Sequence, residues 1–244
     1  MGYEFSGAHE ADVDATVDDV WHAIATGPGI TSWFMGATEV RDGAVHLPFG
    51  GQPITVSEPG RRFVYRGDPE SDGRFIAFDY LIEARAGGST SIRLVSNGFL
   101  PGDDWADEYD AMTKGGAMFF ASLVEYLNHF AGRVGIPMDA SSSAVEDWDS
   151  ACDALGRSLG LSGRPKPGDT VRIAIDGRTV GGVVYYTNED TFAVRGDDAL
   201  YRFVKAFRPG GHGPMLAMHI LFDADADVPR AEQAWSAWLA AAIG

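Results

Sequence analysis

Two helical segments bracket a run of strand-like segments, and this arrangement is the strongest constraint on how the first half of the chain folds. The early segment, 17–25, carries its apolar side chains on one helical face. The late segment, from about 104 to 133, has apolar positions that recur every three or four residues. Consecutive antiparallel strands between two such helices need a layer that covers one face of the sheet. We therefore predict an α+β fold in which a curved antiparallel sheet wraps a long helix.

Turn signals separate the strand-like segments. The alternation of Tyr3–Val13 predicts a first strand, and Thr16 is a predicted N-cap for the early helix. Residues 27–29, Gly-Pro-Gly, are predicted to form a turn that stops this helix, and Asp42-Gly43 to form a hairpin turn. Further strands are predicted at about 37–41, 44–48, 52–58, 61–67, 74–85 and 89–97.

The second half of the chain is predicted to form a separate domain. Residues 134–144 are small and polar, and we interpret them as a linker between a domain at 1–133 and a second, diverged α+β domain at 145–244. The segment 194–197, Val-Arg-Gly-Asp, is similar to 65–68, Tyr-Arg-Gly-Asp, which suggests a degenerate repeat. We expect this copy to lack an equivalent of the first strand. The alternative is an unrelated α+β domain.

Charge and composition exclude several classes of partner. The net charge of −16 argues against nucleic acid and anionic membranes as partners, because both attract basic surfaces. Cys152 is the single cysteine, so an intrachain disulfide cannot form. No apolar run approaches the roughly 20 residues that span a bilayer, and the N-terminal segment lacks the pattern of a secretory signal. We expect an acidic, cytoplasmic protein.

A set of positions in and beside the two helices carries a family resemblance: Val20-Trp21, Ala23-Ile24, Trp33-Phe34, Trp105, Tyr109 and Gly116. On these positions the first 133 residues resemble the START-like, helix-grip superfamily, also called SRPBCC, and within it the branch related to activators of heat-shock-protein ATPase. The resemblance implies a cavity between the sheet and the long helix. It also implies the carrying or sensing of lipids, polyketides or hormones, with cyclisation or hydration in some branches and chaperone binding in the activator branch.

Aromatic side chains give the main indication of function, because apolar clefts are the usual sites for small ligands. We predict a binding module for a small hydrophobic or aromatic molecule, without a catalytic residue, a metal or a cofactor. The alternative for each aromatic residue is plain packing in the core. The predicted ligand-binding residues are Trp33, Phe78, Tyr80, Trp105, Tyr109, Met112 and Phe119.

Other functions remain open at this point. A cyclase or hydratase acting on a hydrophobic substrate needs a buried acid–base group, for which His46 and Tyr80 are the first choices. A regulatory or protein-interaction module is the third hypothesis, and the sequence leaves a homodimer open. The histidines form no helix-spaced pair with a glutamate and no cluster with cysteine, which argues against a metal site.

Overall fold

Residues 2–102, 105–206 and 213–243 are described by the computed structural model, which divides the chain into a first unit, Met1–Gly135, and a second unit, Ile136–Gly244. The first unit begins with β1 (Tyr3–Val13), α1 (Val17–Ala25) and α2 (Gly27–Thr31). Six strands and a long helix follow: β2 (Glu39–Arg41), β3 (Ala44–Leu47), β4 (Gly50–Glu58), β5 (Arg62–Arg66), β6 (Phe75–Ala84), β7 (Thr90–Leu100) and α3 (Trp105–His129).

The strands of the first unit form one antiparallel sheet, which α3 covers. Within the described residues this sheet has seven strands in the order β1-β7-β6-β5-β4-β3-β2, so the first strand pairs with the last. Helix α3 packs against β1 and β7. Its apolar stripe buries Phe119, Leu123 and Leu127. A sheet that holds a long C-terminal helix on one face is the helix-grip arrangement, and the predicted fold class is confirmed.

Capping residues fix the short helices between β1 and β2. Thr16 and Asp19 form a capping box at the start of α1, in which each side chain bonds to the backbone of the other. The predicted turn at 27–29 is wrong, because these residues begin α2. The side chain of Thr26 caps this helix by accepting from Gly29 N at 3.1 Å, and proline is well tolerated in a first helical turn.

The predicted hairpin between β2 and β3 is confirmed. Asp42 and Gly43 both have positive φ, at 54° and 74°, as a two-residue turn of the type favoured in hairpins requires. Arg41 pairs with Ala44 on the two sides of the turn. The strand predictions for this unit match the observed strands to within a few residues.

The second unit has a similar chain order, with one short helix and one strand fewer among its described residues. It has β8 (Ile136–Ala144) and α4 (Trp148–Ser158), and it ends on α5 (Val228–Ile243). Its described residues form a six-stranded antiparallel sheet in the order β8-β13-β12-β11-β10-β9. The strands between the helices are β9 (Thr170–Ile175), β10 (Arg178–Thr187), β11 (Thr191–Arg195), β12 (Ala199–Lys205) and β13 (Pro214–Leu221).

The linker prediction for 134–144 is wrong, since 136–144 is the edge strand β8. Its inward residues Met138 and Ala140 are buried, whereas the neighbouring Asp139 and Ser141 are more exposed. An edge strand with one solvated face can consist of small and polar residues, which is why its composition resembles a linker. The expectation that this unit lacks an opening strand is also wrong, because β8 pairs with β13 as β1 pairs with β7.

The two similar four-residue segments occupy equivalent places in the two strand orders. Residues 65–68 span the end of β5, and 194–197 span the end of β11. Counted from the opening strand of each sheet, β5 and β11 are both fourth in order. This correspondence agrees with a diverged repeat, and the duplication itself stays a prediction.

Aromatic side chains fill the interior of the second unit. Trp235 of α5 lies with its ring centroid 4.3 Å from that of His219 and 5.4 Å from that of Tyr201. His219 is 1% exposed and lies within the strand ladder, where its Nδ1 accepts a hydrogen bond from the backbone N–H of Arg202 at 3.1 Å. Its Nε2 is buried without a hydrogen-bond partner among the described residues. The unit therefore has a filled core with one buried imidazole.

Candidate functional site

A row of residues crosses the inner face of the first sheet, which is the face that α3 covers. Gly7 of β1 is opposite Ser96 of β7, Ser96 is opposite Phe78 of β6, and Phe78 is opposite Tyr65 of β5. Directly opposed residues share a face. Gly7, Ser96 and Phe78 are partly exposed although they lie on the covered face, whereas the next row contains the buried Leu94. Small side chains at Gly7 and Ser96 therefore leave the sheet accessible beneath the helix.

Helix α3 also carries small residues along this stretch. Gly115 and Gly116 precede the buried Phe119 by four and three residues, so they lie on the same side of the helix as this side chain. Apart from the two neighbouring residues in the chain and the backbone of the helix itself, no atom of the described residues lies within 4 Å of a Cβ placed at either glycine. Both glycines are partly exposed, and the space beside them is open. We call the volume between α3 and the row Gly7–Ser96–Phe78 the α3–sheet space.

Aromatic pairs lie at one end of the α3–sheet space. The ring of Tyr3 stacks on Trp105 with a centroid distance of 3.9 Å, and Phe5 lies 5.7 Å from Tyr109. These contacts join β1 to the first turns of α3. The ion pair between Arg74 and Glu108, both partly buried, attaches the same end of the helix to the segment before β6.

A second aromatic group lies at the other end. Phe34, in the segment after α2, has its ring centroid 4.8 Å from Phe119 of α3 and 6.4 Å from Phe78 of β6. Phe49, which is 48% exposed, contacts Phe34 edge-on at 6.5 Å. Aromatic rings from the helix, the sheet and the segment after α2 thus surround this end of the space.

The structure places the predicted ligand-binding residues in different surroundings. Phe78 and Phe119 border the α3–sheet space, and Met112 is partly exposed one helical turn before Gly116. Trp105 and Tyr109 lie at its end. Trp33, by contrast, is 1% exposed, and its indole N–H donates to the carbonyl of Ala23 at 2.9 Å, as expected of a core residue that supports α1. Whether any of these side chains touches a ligand stays a prediction.

Two buried tyrosines on neighbouring strands supply polar groups to the inner face. The hydroxyls of Tyr65 and Tyr80 lie 3.3 Å apart, and both residues are 1% exposed. Burial raises the pKa of both phenols above the ordinary value, so both stay protonated at neutral pH. One O–H donates to the other oxygen, which leaves the second proton without an acceptor among the described residues.

Sequence reasoning did not single out Gln52 as a site residue. This residue of β4 pairs with Val45 of β3 and therefore points to the inner face, where it is 8% exposed. Its Oε1 is buried and has no hydrogen-bond partner among the described residues. A polar residue at an inward position of an alternating strand is the signal that could have identified it.

His46, a first choice for an acid–base group, does not border the α3–sheet space. It lies between Val45 and Leu47 in β3, which are both buried, so its side chain emerges on the opposite face of the strand. Its cross-strand partners are Glu39 and Gly51. The alternation along β3 thus removes His46 from the candidate site.

A surface groove on the second unit offers a weaker candidate. Its volume is about 540 Å³, and its charged groups are mostly engaged with one another: Arg164 pairs with Asp149, and Lys205 lies 3.6 Å from Asp190. Trp148 donates its indole N–H to a backbone carbonyl in the same groove. These contacts describe a solvated network of ion pairs, to which we assign no ligand.

The described residues provide no candidate metal site and no candidate transmembrane helix. No group of three or more His, Cys, Asp or Glu side chains is arranged there to hold a metal ion. Among the described helices, none combines the length and apolar character of a transmembrane span.

No protein-family model and no curated protein matches the chain. Among solved structures, it is similar to the di-domain ARO/CYC BexL from the BE-7585A biosynthetic pathway, with 13% identity and a TM-score of 0.46 over 98% of each chain. It is also similar to DynU16 from the dynemicin biosynthetic locus, with 17% identity and a TM-score of 0.39 over 96% of each chain. The Aha1 dimer from Colwellia psychrerythraea matches 51% of this chain and 96% of its own, with 17% identity and a TM-score of 0.40. At these identities and TM-scores the likenesses establish neither a family nor a function for this chain, and the helix-grip arrangement rests on its own strand order and long helix.

Proposed function

We propose that the first unit binds a small, uncharged, largely aromatic molecule in the α3–sheet space. The observation that carries this proposal is the pair Gly115-Gly116 inside a 25-residue helix, with unfilled volume beside both residues. Each glycine costs about 1 kcal/mol relative to alanine in a helix interior. A cost of this size at two adjacent positions that border an unfilled volume is readily understood if a ligand occupies that volume.

The bordering side chains indicate the chemistry of the ligand. Phe34, Phe78 and Phe119 offer ring faces and edges, which bind flat apolar molecules in stacked or edge-on geometry. His9, on the inner face of β1, has its pKa lowered by burial and is therefore mostly neutral at pH 7. A charged ligand would lose its hydration without gaining an opposite charge from these groups.

The two first choices for an acid–base group, Tyr80 and His46, give no support to catalysis. A cyclase or hydratase needs a group that exchanges protons near neutral pH. The raised pKa of Tyr80 makes its hydroxyl a hydrogen-bonding group rather than a base, and His46 faces away from the space. We therefore propose a carrier or sensor of the ligand rather than an enzyme that transforms it.

Filling the α3–sheet space tests the proposal. The neutral fluorophore N-phenyl-1-naphthylamine is expected to bind the full chain saturably, with an increase in emission. Gly116→Leu should weaken this binding at least tenfold, about 1.4 kcal/mol, because the new side chain occupies the volume beside the helix. Thr113→Leu adds a leucine to an exposed position of the same helix and should leave the dissociation constant unchanged. Equal affinity in the wild type and Gly116→Leu would count against the proposal.

Gly116→Ala gives a separate prediction about stability. The substitution is expected to raise the free energy of unfolding by about 0.5–1 kcal/mol, because alanine favours the helix and its Cβ meets no other part of the described protein. Thermal unfolding followed by circular dichroism measures this as an increase in Tm. A decrease would mean that the volume beside Gly116 is occupied.

A further inference from the structure

We propose that Gln52 forms a hydrogen bond to a hydroxyl group of the ligand and thereby selects hydroxylated aromatic molecules over plain hydrocarbons. This inference rests on the proposed function and adds a residue that determines specificity.

The position of Gln52 is fixed by its neighbours. It lies opposite Val45 on β4, and two residues later Ile54 lies opposite Tyr65, which places Gln52 on the inner face of the sheet. A Cβ at Gly67 would lie 2.9 Å from Oε1 and 3.1 Å from Nε2 of Gln52, so the amide packs directly over the backbone of this glycine. The absence of a side chain at Gly67 is what allows the amide to lie there.

The amide oxygen of Gln52 is a buried polar atom without a protein partner. The residue is 8% exposed, and its Oε1 accepts no hydrogen bond from the described residues. Buried polar groups in native proteins are nearly always paired, because leaving one unpaired costs most of its hydration. A bound ligand that supplies the missing hydrogen bond removes this cost.

The chemistry of a carboxamide identifies the partner group. The amide presents an acceptor at Oε1 and a donor at Nε2, and its two ends exchange on rotation by 180°. A hydroxyl pairs with either end because it both donates and accepts. An ammonium group would need a carboxylate to offset its loss of hydration, and the inner-face groups beside Gln52 are uncharged.

The placement of the polar groups gives the ligand an orientation. Gln52 lies on β4, and the Tyr65–Tyr80 hydroxyl pair lies on β5 and β6, whereas the glycine side of the α3–sheet space lies at β1 and β7. Adjacent strands are about 4.8 Å apart, so β4 and β7, three spacings apart in the sheet, are separated by about 14 Å. A flat molecule of several fused aromatic rings spans this distance with its hydroxylated end toward β4 and its apolar end beneath α3.

Paired probes test the assignment on the full chain. The dissociation constants of 2-naphthol and naphthalene are measured by displacement of N-phenyl-1-naphthylamine from the wild type and from Gln52→Leu. The wild-type preference for 2-naphthol is expected to fall by about threefold to tenfold in Gln52→Leu, the value of one hydrogen bond, while naphthalene binding persists. Thr55→Val, at an exposed position of the same strand, should keep the wild-type preference.

The outcomes separate this inference from the proposed function. An unchanged preference in Gln52→Leu, with naphthalene still bound, overturns the role of Gln52 and leaves the proposed binding site intact. Failure of both naphthalenes and the fluorophore to bind the wild type overturns both proposals. If circular dichroism shows that Gln52→Leu does not fold, Gln52→Met, with an unbranched side chain of similar length, replaces it under the same criteria.

Discussion

Replacing Trp235 by alanine is expected to lower the free energy of unfolding of the second unit by about 3–5 kcal/mol. The indole is 4% exposed and lies against Tyr201, Phe203 and His219, which belong to two paired strands of the sheet. Because hydrogen-bonded strands cannot move inward freely, most of the volume that the indole occupies would remain as a cavity. The loss therefore combines the transfer of a large apolar group with the cost of that cavity.

Hydrogen–deuterium exchange measured on peptides of β12 and β13 follows the second unit directly. Faster exchange in Trp235→Ala should correspond to the predicted loss of stability. Trp238→Ala removes the same side chain from the next turn of α5, where it is partly exposed, and should produce a clearly smaller change. Equal changes in the two variants would show that Trp235 is not the centre of this core.

Lowering the pH from 7 to 5 is expected to destabilise the second unit through His219. Burial and the nearby Arg202 guanidinium hold the pKa of His219 well below its ordinary value of 6.5. Below about pH 6.5 the imidazole of His219 therefore takes up a proton in the unfolded chain, whereas in the folded unit it stays neutral. Stability is fully present above this pH and falls by about 1.4 kcal/mol per pH unit below it, until the folded pKa is reached.

The groups around His219 explain why the folded unit resists protonation. Its Nδ1 already accepts from the backbone of Arg202, so a proton there would break a hydrogen bond within the sheet. The side chain of Arg202, 1% exposed, donates to the carbonyl of Met218 at 2.6 Å and keeps a positive charge nearby. Trp235 and Tyr201 offer ring contacts and no negative charge.

Urea unfolding followed by near-ultraviolet circular dichroism at pH 5, 6 and 7 tests this expectation. His219→Gln keeps an acceptor of similar reach without a group that titrates in this range, so its stability should change less with pH than that of the wild type. Asp139 of β8, whose pKa is raised by burial, is present in both proteins and cancels in the comparison. His22→Gln, at an exposed position of α1, should retain the wild-type dependence. Parallel curves for the wild type and His219→Gln would refute the prediction.

Local signals in the sequence predicted most of the elements, and long-range pairing decided the rest. Thr16 and Asp42-Gly43 behave as expected because a cap and a hairpin turn depend on adjacent residues. The composition of β8 does not identify it as a strand, because its residues favour a strand only when β13 lies beside them. The sequence of α2 resembles a turn, because proline and glycine stop a helix in its interior, yet both are tolerated in a first helical turn.

The residue types of the candidate site could be predicted from the sequence better than their positions in the fold. An aromatic set pointed to the interior of the first unit, and Phe78 and Phe119 do border the α3–sheet space. Residue type alone could not show that the indole N–H of Trp33 donates to the carbonyl of Ala23. It also could not show that the His46 side chain emerges on the outer face of β3. The unfilled volume beside Gly116 depends on how far α3 lies from the sheet, a tertiary distance that no local pattern encodes.

The pairing of the first strand with the last has a consequence for biosynthesis. Tyr3 at the start of β1 is opposite Leu100 at the end of β7, so the ribosome must release nearly the whole first unit before this pairing can form. Until then β1 is an unpaired edge with an alternating apolar face, the kind of segment that associates with other chains. The same delay in strand pairing applies to the second unit, because β8 can pair only after β13 has been synthesised. Contacts so distant in sequence slow folding, so each half of the nascent polypeptide passes through a period in which chaperones have an open strand to protect.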